Sequence, residues 1–380
     1  MDPQPSTAGR EWRFRLLLLA LSAVFTFAVG EVALRLLERG APKPVASESG
    51  FSFFTHDPRL GWDLVPGAVD QHKTAEFAVE IRIDEQGLRS PISTPVELSA
   101  EQAGARRLAV LGDSFTFGHG VEAHEAWPAL LDERLPSLEA HNLAVTGYGT
   151  DQQLLRFEER AAELAPDAVI LGLFAGNVFR NARFEQLGYA KPRFAFDGSE
   201  LRLLGVPVPD GPPSKPSSRL WALLSGTLRS VTEHLGYGEA WTVTGGILDR
   251  LAVRAGEHDA PLFIVILPKD RMVYGGGPRQ SVHERMHARL HRLLDERGLE
   301  YLDLTSALRD GAKDQPRLYY ARDGHWTPDG HRVAAEAIAD WLAPLLPAPV
   351  LQTAASPMAE DTDADSMHEE AAEDPTESAR

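Results

Sequence analysis

The chain reads Leu108-Ala-Val-Leu-Gly-Asp-Ser-Phe-Thr-Phe-Gly118: four apolar residues in a row, a Gly-Asp turn, and then a serine. A short, unbroken apolar run is the pattern of a strand buried on both faces. Outward from it the pattern recurs at Leu143–Val145, Ala168–Phe174, Leu262–Leu267 and Tyr301–Leu304. Helical periodicity lies between and after these runs, at Ala126–Leu135, Asp151–Leu164, Thr244–Ala255, Val282–Glu296 and His331–Leu346. Alternation of this kind predicts an α/β fold, a parallel sheet sandwiched between two helical layers. Open sheets of that class bind ligands beyond the carboxyl ends of their strands, and Ser114 stands there.

Upstream, Phe77–Ile83 alternates like a half-buried strand and Gln86-Gly87 supplies a turn, within an N-terminal extension over residues 38–105. The main domain is expected from 106 to 347, with an insertion at about 192–238. That insertion opens with a hairpin around Asp197-Gly198, then a Pro-rich stretch and an apolar helix near Leu220–Leu235. The tail, 348–380, carries nine acidic and no basic residues between Glu360 and Glu377 and is expected to be disordered. About half of the net charge of −17 therefore belongs to the tail. The remaining domain is mildly acidic, which argues against nucleic acid as a partner. Cysteine is absent, excluding disulfides, thiolate catalysis and cysteine zinc sites.

At the N-terminus, Arg10, Arg13 and Arg15 precede Leu16–Gly30, fifteen residues without a charge, and the apolar pattern runs on to Leu37 past Glu31 and Arg35. A spanning helix prefers about 20 apolar residues, so 16–37 reads as a short signal anchor, with Ala28-Val29-Gly30 as a possible cleavage site for a signal peptide. The flanking arginines place residues 1–15 in the cytoplasm and the main domain outside a single-pass membrane helix.

The chemistry gathers at the strand ends. A serine hydroxyl is a weak nucleophile until a base takes its proton. Tyr319-Tyr-Ala-Arg-Asp-Gly-His-Trp-Thr-Pro-Asp-Gly-His331 supplies Asp323 and His325 in a glycine-containing loop ahead of the last helix, a natural place for a base and its orienting carboxylate. Thr146-Gly147-Tyr148-Gly149 and Ala175-Gly176-Asn177 each follow a core strand and can stabilise an oxyanion. A Gly-Asp-Ser tripeptide alone occurs in many turns; the strand before it and the Asp/His pair far downstream give it weight. Gly147 alone fits a turn, Asn177 alone fits a helix cap, and His331 fits the start of the last helix better than the chemistry.

Four elements in this order resemble the SGNH hydrolase superfamily. Its Gly-Asp-Ser block is matched by Gly112-Asp113-Ser114, its second-block glycine by Gly147, and its Gly-x-Asn-Asp block around Gly176 and Asn177. Its C-terminal block is matched by Asp323 and His325. The resemblance covers about Arg106–Leu346 and extends loosely upstream to membrane-anchored bacterial members. It implies a flavodoxin-like three-layer sandwich, a Ser114–His325–Asp323 triad, and an oxyanion hole from the Ser114 and Gly147 N–H groups and the Asn177 amide. It implies no cofactor. The substrates implied are ester-linked acyl groups on small molecules, envelope glycans or lipids. Two departures stand out: Val178 follows Asn177 where the family commonly has Asp, and only Gly324 separates Asp323 from His325. Asp-x-His-Trp is similar to alginate acetylation proteins and keeps a polysaccharide O-acyltransferase open beside the esterase. A catalytically silent binding module is a further alternative.

A competing motif is His283-Glu284-Arg285-Met286-His287, the metalloprotease pattern, with His291 one turn on. Val282, Met286, Leu290 and Leu293 predict that this helix has a core face, and Leu290 and Leu293 replace the Gly and His of the extended motif. The reading here is no catalytic metal.

Overall fold

The computed structural model describes residues 7–40, 51–90, 105–211, 237–275, 280–315 and 317–346. Its centre is a parallel sheet of β1 (Arg106–Leu111), β2 (Leu138–Asn142), β3 (Ala168–Phe174), β4 (Leu262–Leu267) and β5 (Glu300–Asp303), in spatial order 2-1-3-4-5. That is the flavodoxin-like winding, whose chain reverses direction across the sheet between β1 and β3. Side chains alternate between two cores. Ala109, Leu111, Val169, Leu171, Ile264 and Ile266 enter one. Leu108, Val110, Ile170, Phe263, Val265 and Leu267 enter the other.

Helices cover both faces. On the first lie α4 (Thr150–Leu164), α6 (Tyr237–Gly256) and α8 (Gln280–Asp295); on the second lie α3 (Trp127–Arg134), α9 (Thr305–Asp314) and α10 (Pro328–Leu342). Short helices α2 (Ser114–Phe117), α5 (Asn177–Arg180) and α7 (Asp270–Tyr274) follow β1, β3 and β4, and a long α1 spans Thr7–Gly40. The three-layer α/β/α fold is as the periodicity predicts.

Several details differ from the sequence reading, among them the start of α6 at Tyr237 and not Thr244. Strand β2 occupies Leu138–Asn142, and Leu143–Val145 continues past the sheet with Leu143 N–H bonded to Val110 O at 2.9 Å. The cause is position: β2 is an edge strand, so Glu139, Ala140 and His141 stay only half-buried and carry no continuous apolar signal. The last helix begins at Pro328, capped by the Thr327 hydroxyl, so His331 lies inside it, buried, with Nδ1 accepting from Trp127 N–H at 3.2 Å. The core face of α8 is Met286, Leu290 and Leu294, with Leu293 partly buried against the same core, while Val282 is exposed.

The N-terminal extension packs on the first face. Its antiparallel ribbons, 54–57 with 61–64 and 69–73 with 78–82, contribute Phe53, Leu60, Trp62, Leu64, Val79 and Ile81 to the core containing β1 and β3. Buried Trp62 donates to Thr146 O, and Tyr148 Oη donates to Trp62 O at 2.5 Å. In the insertion, Arg193–Asp197 and Glu200–Leu204 form the expected hairpin around Asp197-Gly198. The Pro-rich stretch beyond Gly211, the Leu220–Leu235 helix and the 348–380 tail lie outside the described residues.

Candidate active site

The Gly-Asp-Ser turn is built by a glycine, Gly112, directly after β1. A Cβ on Gly112 would meet Thr116 Oγ1 at 2.1 Å, so only glycine lets α2 turn back so tightly onto the strand. Asp113 caps α2, with Oδ1 accepting from Phe115 N–H at 3.0 Å. Ser114 is therefore the first helical residue, a position whose N–H has no intrahelical partner.

The loop before α10 brings the other two residues to it. His325 Nε2 lies 2.7 Å from Ser114 Oγ, and His325 Nδ1 lies 2.6 Å from Asp323 Oδ1. Gly324 has φ +79°, a left-handed conformation that folds the Asp323 carboxylate back so that it also accepts the His325 backbone N–H at 3.2 Å. The one-residue spacing thus still forms an aspartate–imidazole pair. Tyr320 Oη donates to Gly120 O at 2.8 Å, and the Glu76 carboxylate accepts the N–H groups of Arg322 and Asp323.

Gly147 and Asn177 reach the same end of the sheet after β2 and β3. Gly147 has φ +88°, a backbone conformation that favours glycine, and a Cβ there would also press on the Leu187 side chain. Asn177 is fully buried; Oδ1 accepts from Arg180 Nη1 at 3.1 Å, while Nδ2 has no protein partner. A buried amide N–H left over in this way can still donate a hydrogen bond. Arg180 also binds Asp113 Oδ2 at 2.7 Å and Tyr148 O at 2.9 Å. One guanidinium thus ties together the serine turn, the glycine loop and the asparagine helix. Val178 is simply core.

Burial lowers the pKa of His325, although its bond to Asp323 pulls the other way, so the imidazole is a neutral base at neutral pH. Burial would raise Asp323, but hydrogen bonds from His119 and His325 hold it well below the usual carboxylate range. His119 Nε2 faces Asp323 Oδ2 at 3.6 Å, and its ring lies 4.4 Å from that of His325, tilted by 41°. His72 lies behind it at 4.7 Å, pushed down to about 4 by burial and by His119. Sequence reasoning passed over Arg180, His119, His72 and Glu76. Arg180 is three residues beyond Asn177, one turn along the same short helix, whereas His119, five residues past Ser114, lies beyond α2 and carries no helical-period signal. Glu76 and His72 are contributed from far along the chain and left no local signal.

The model for the GDSL-like lipase/acylhydrolase family matches residues 110–333, more than half of the chain. Esterase TesA of Pseudomonas aeruginosa is 28% identical over 120 residues, 30% of this chain and 60% of that protein, so the chain covers less than two thirds of that relative. Among solved structures, a crystal structure of TesA is 17% identical over 63% of this chain and 100% of its own, with a TM-score of 0.40. A catalytic mutant of Axe2, an acetylxylan esterase from Geobacillus stearothermophilus, is 14% identical over 62% of this chain and 94% of its own, also at 0.40. The chain belongs to the GDSL-like lipase/acylhydrolase family.

Proposed function

We propose that this protein is a membrane-anchored serine esterase that removes ester-linked acyl groups from envelope glycans or lipids at the membrane surface. The observation that carries the reading is the unbroken chain from Ser114 Oγ through the His325 ring to Asp323 Oδ1, at 2.7 and 2.6 Å. His325 takes the serine proton as Oγ attacks the ester carbonyl, and Asp323 fixes the imidazole tautomer and stabilises the imidazolium. The oxyanion is received by the N–H groups of Ser114 and Gly147 and by Asn177 Nδ2. His325 then protonates the leaving alcohol, and water resolves the acyl-serine.

The anchor reading is supported by α1. Its stretch Arg15–Ala33 is 19 residues with mean hydropathy 2.2 and no buried side chain among the described residues. At 1.5 Å per residue that is about 28 Å, close to the roughly 30 Å of a hydrocarbon core. Glu31 and Arg35 at its end pair at 2.7 Å, which lowers the cost of holding both near the interface. With residues 1–15 on the cytoplasmic side, the catalytic domain faces outward.

The test is turnover of short-chain aryl esters by the full chain in detergent, with and without oligosaccharide acceptors. The expected result is release of free acid at a rate the acceptor does not change. Acyl transfer to the sugar would make the protein an O-acyltransferase. No turnover and no reaction with a serine-directed probe would leave a silent binding module.

A further inference from the structure

We propose that His287, His291 and Asp303 form a binding site for a divalent transition-metal ion of the zinc type, clamping α8 to the edge strand β5. His287 and His291 stand one turn apart on the same face of α8, and Asp303 ends β5. Asp303 Oδ2 lies 2.7 Å from His291 Nε2 and 3.5 Å from His287 Nδ1, and the three ligand atoms are all within 4.8 Å of one another. Tetrahedral zinc with N and O ligands at about 2.0–2.2 Å separates those ligands by about 3.3–3.5 Å, so small side-chain rotations complete the site.

Two observations point to an ion rather than to hydrogen bonding alone. His287 is 5% exposed, and its Nδ1, turned towards the carboxylate, is buried with no hydrogen-bond partner. Asp303 Oδ1 is already engaged by Thr305 N–H at 2.8 Å, which orients the carboxylate and leaves Oδ2 for the cluster. Two imidazoles and one carboxylate suit zinc, cobalt or nickel and disfavour calcium and magnesium. A cavity of about 510 Å³, walled by Met272, Glu284, Arg309 and the three ligands, leaves room for water as a fourth ligand. This is not the ligand set of the His283–His287 metalloprotease pattern, because His283 is not part of the cluster. Nor does it depend on the esterase reading.

The test uses the tag-free full chain in detergent, stripped with chelator and titrated with Zn²⁺ alone. Metal retained after desalting and the melting midpoint are measured. One zinc per chain is expected, with a raised midpoint. His291→Ala and Asp303→Asn should weaken binding at least tenfold and abolish the midpoint shift, while His283→Ala and His325→Ala leave both unchanged. His291 is partly exposed, so its variant reports on binding even if Asp303→Asn fails to fold. The proposal is overturned if no zinc is retained, if His283→Ala removes it, or if His325→Ala removes it while His291→Ala does not. The last outcome would place the ion on the His119, Asp323 and His325 group instead.

Discussion

Replacing Glu76 by alanine tests whether the N-terminal extension positions the catalytic loop. The Glu76 carboxylate accepts Arg322 N–H at 3.1 Å and Asp323 N–H at 2.8 Å across 246 and 247 residues of sequence. A hydrogen bond to a charged group contributes about 1.5–3 kcal/mol, and at this half-exposed place the pair together should sit near the low end, about 2 kcal/mol. Removing the carboxylate also relieves its repulsion of Asp323, which at partly exposed sites offsets less than about 1 kcal/mol. A net loss of about 1–2 kcal/mol remains. Felt entirely in the alignment of Asp323 with His325, it slows turnover roughly 5- to 30-fold, since 1.4 kcal/mol is a factor of ten. Glu76 is outside the reacting group, so kcat should fall on an aryl ester while KM stays near the parent value. Glu76→Gln keeps an acceptor oxygen and should recover most of the rate. A Glu76→Ala kcat within twofold of the parent, or a loss confined to KM, would refute the reasoning.

Asn177→Ala should lower kcat by on the order of 10²–10³, the usual effect of losing one oxyanion donor; a loss under tenfold would remove Asn177 from that role. The rate should rise with pH through a midpoint below the ordinary histidine value of 6.5, because burial depresses the pKa of His325 and its neutral form is the active one. An acid limb centred above 6.5 would contradict this. Lys191 and Asp151 form an ion pair with both side chains fully buried. Lys191→Met, by stranding the carboxylate, should cost about 3–5 kcal/mol and lower the melting temperature by roughly 10 °C. Adding Asp151→Leu should recover at least half of that loss.

The layers of the fold were legible because β1, β3 and β4 run buried on both faces for most of their length, and β1 keeps its two arginines at its uncovered start. The edge strand β2 was misplaced by several residues for the opposite reason: with Glu139 and His141 half-buried, the apolar run that caught the eye was the connection after it. Short helices such as α5 and α7 span little more than a turn and show no periodicity. Ser114, Gly147, Asn177, Asp323 and His325 could be named because each lies just beyond a strand or just ahead of a helix and together they resemble the four blocks of the SGNH superfamily. What holds them was less visible. Arg180 links three of those segments, and Arg89, buried in the extension, donates to the carbonyls of Phe117, Gly118 and Val121. Contacts of that separation follow from the packed fold and leave no pattern in a local window.

The central claim, that Ser114 is a nucleophile activated by His325, is tested most directly by fluorophosphonate labelling of the full chain with peptide mapping of the adduct. The account predicts one adduct per chain, on Ser114. It also predicts a labelling rate that falls by roughly 10³ or more in His325→Ala, because the serine then lacks its base. An adduct on another residue, or an unchanged rate in His325→Ala, would contradict it.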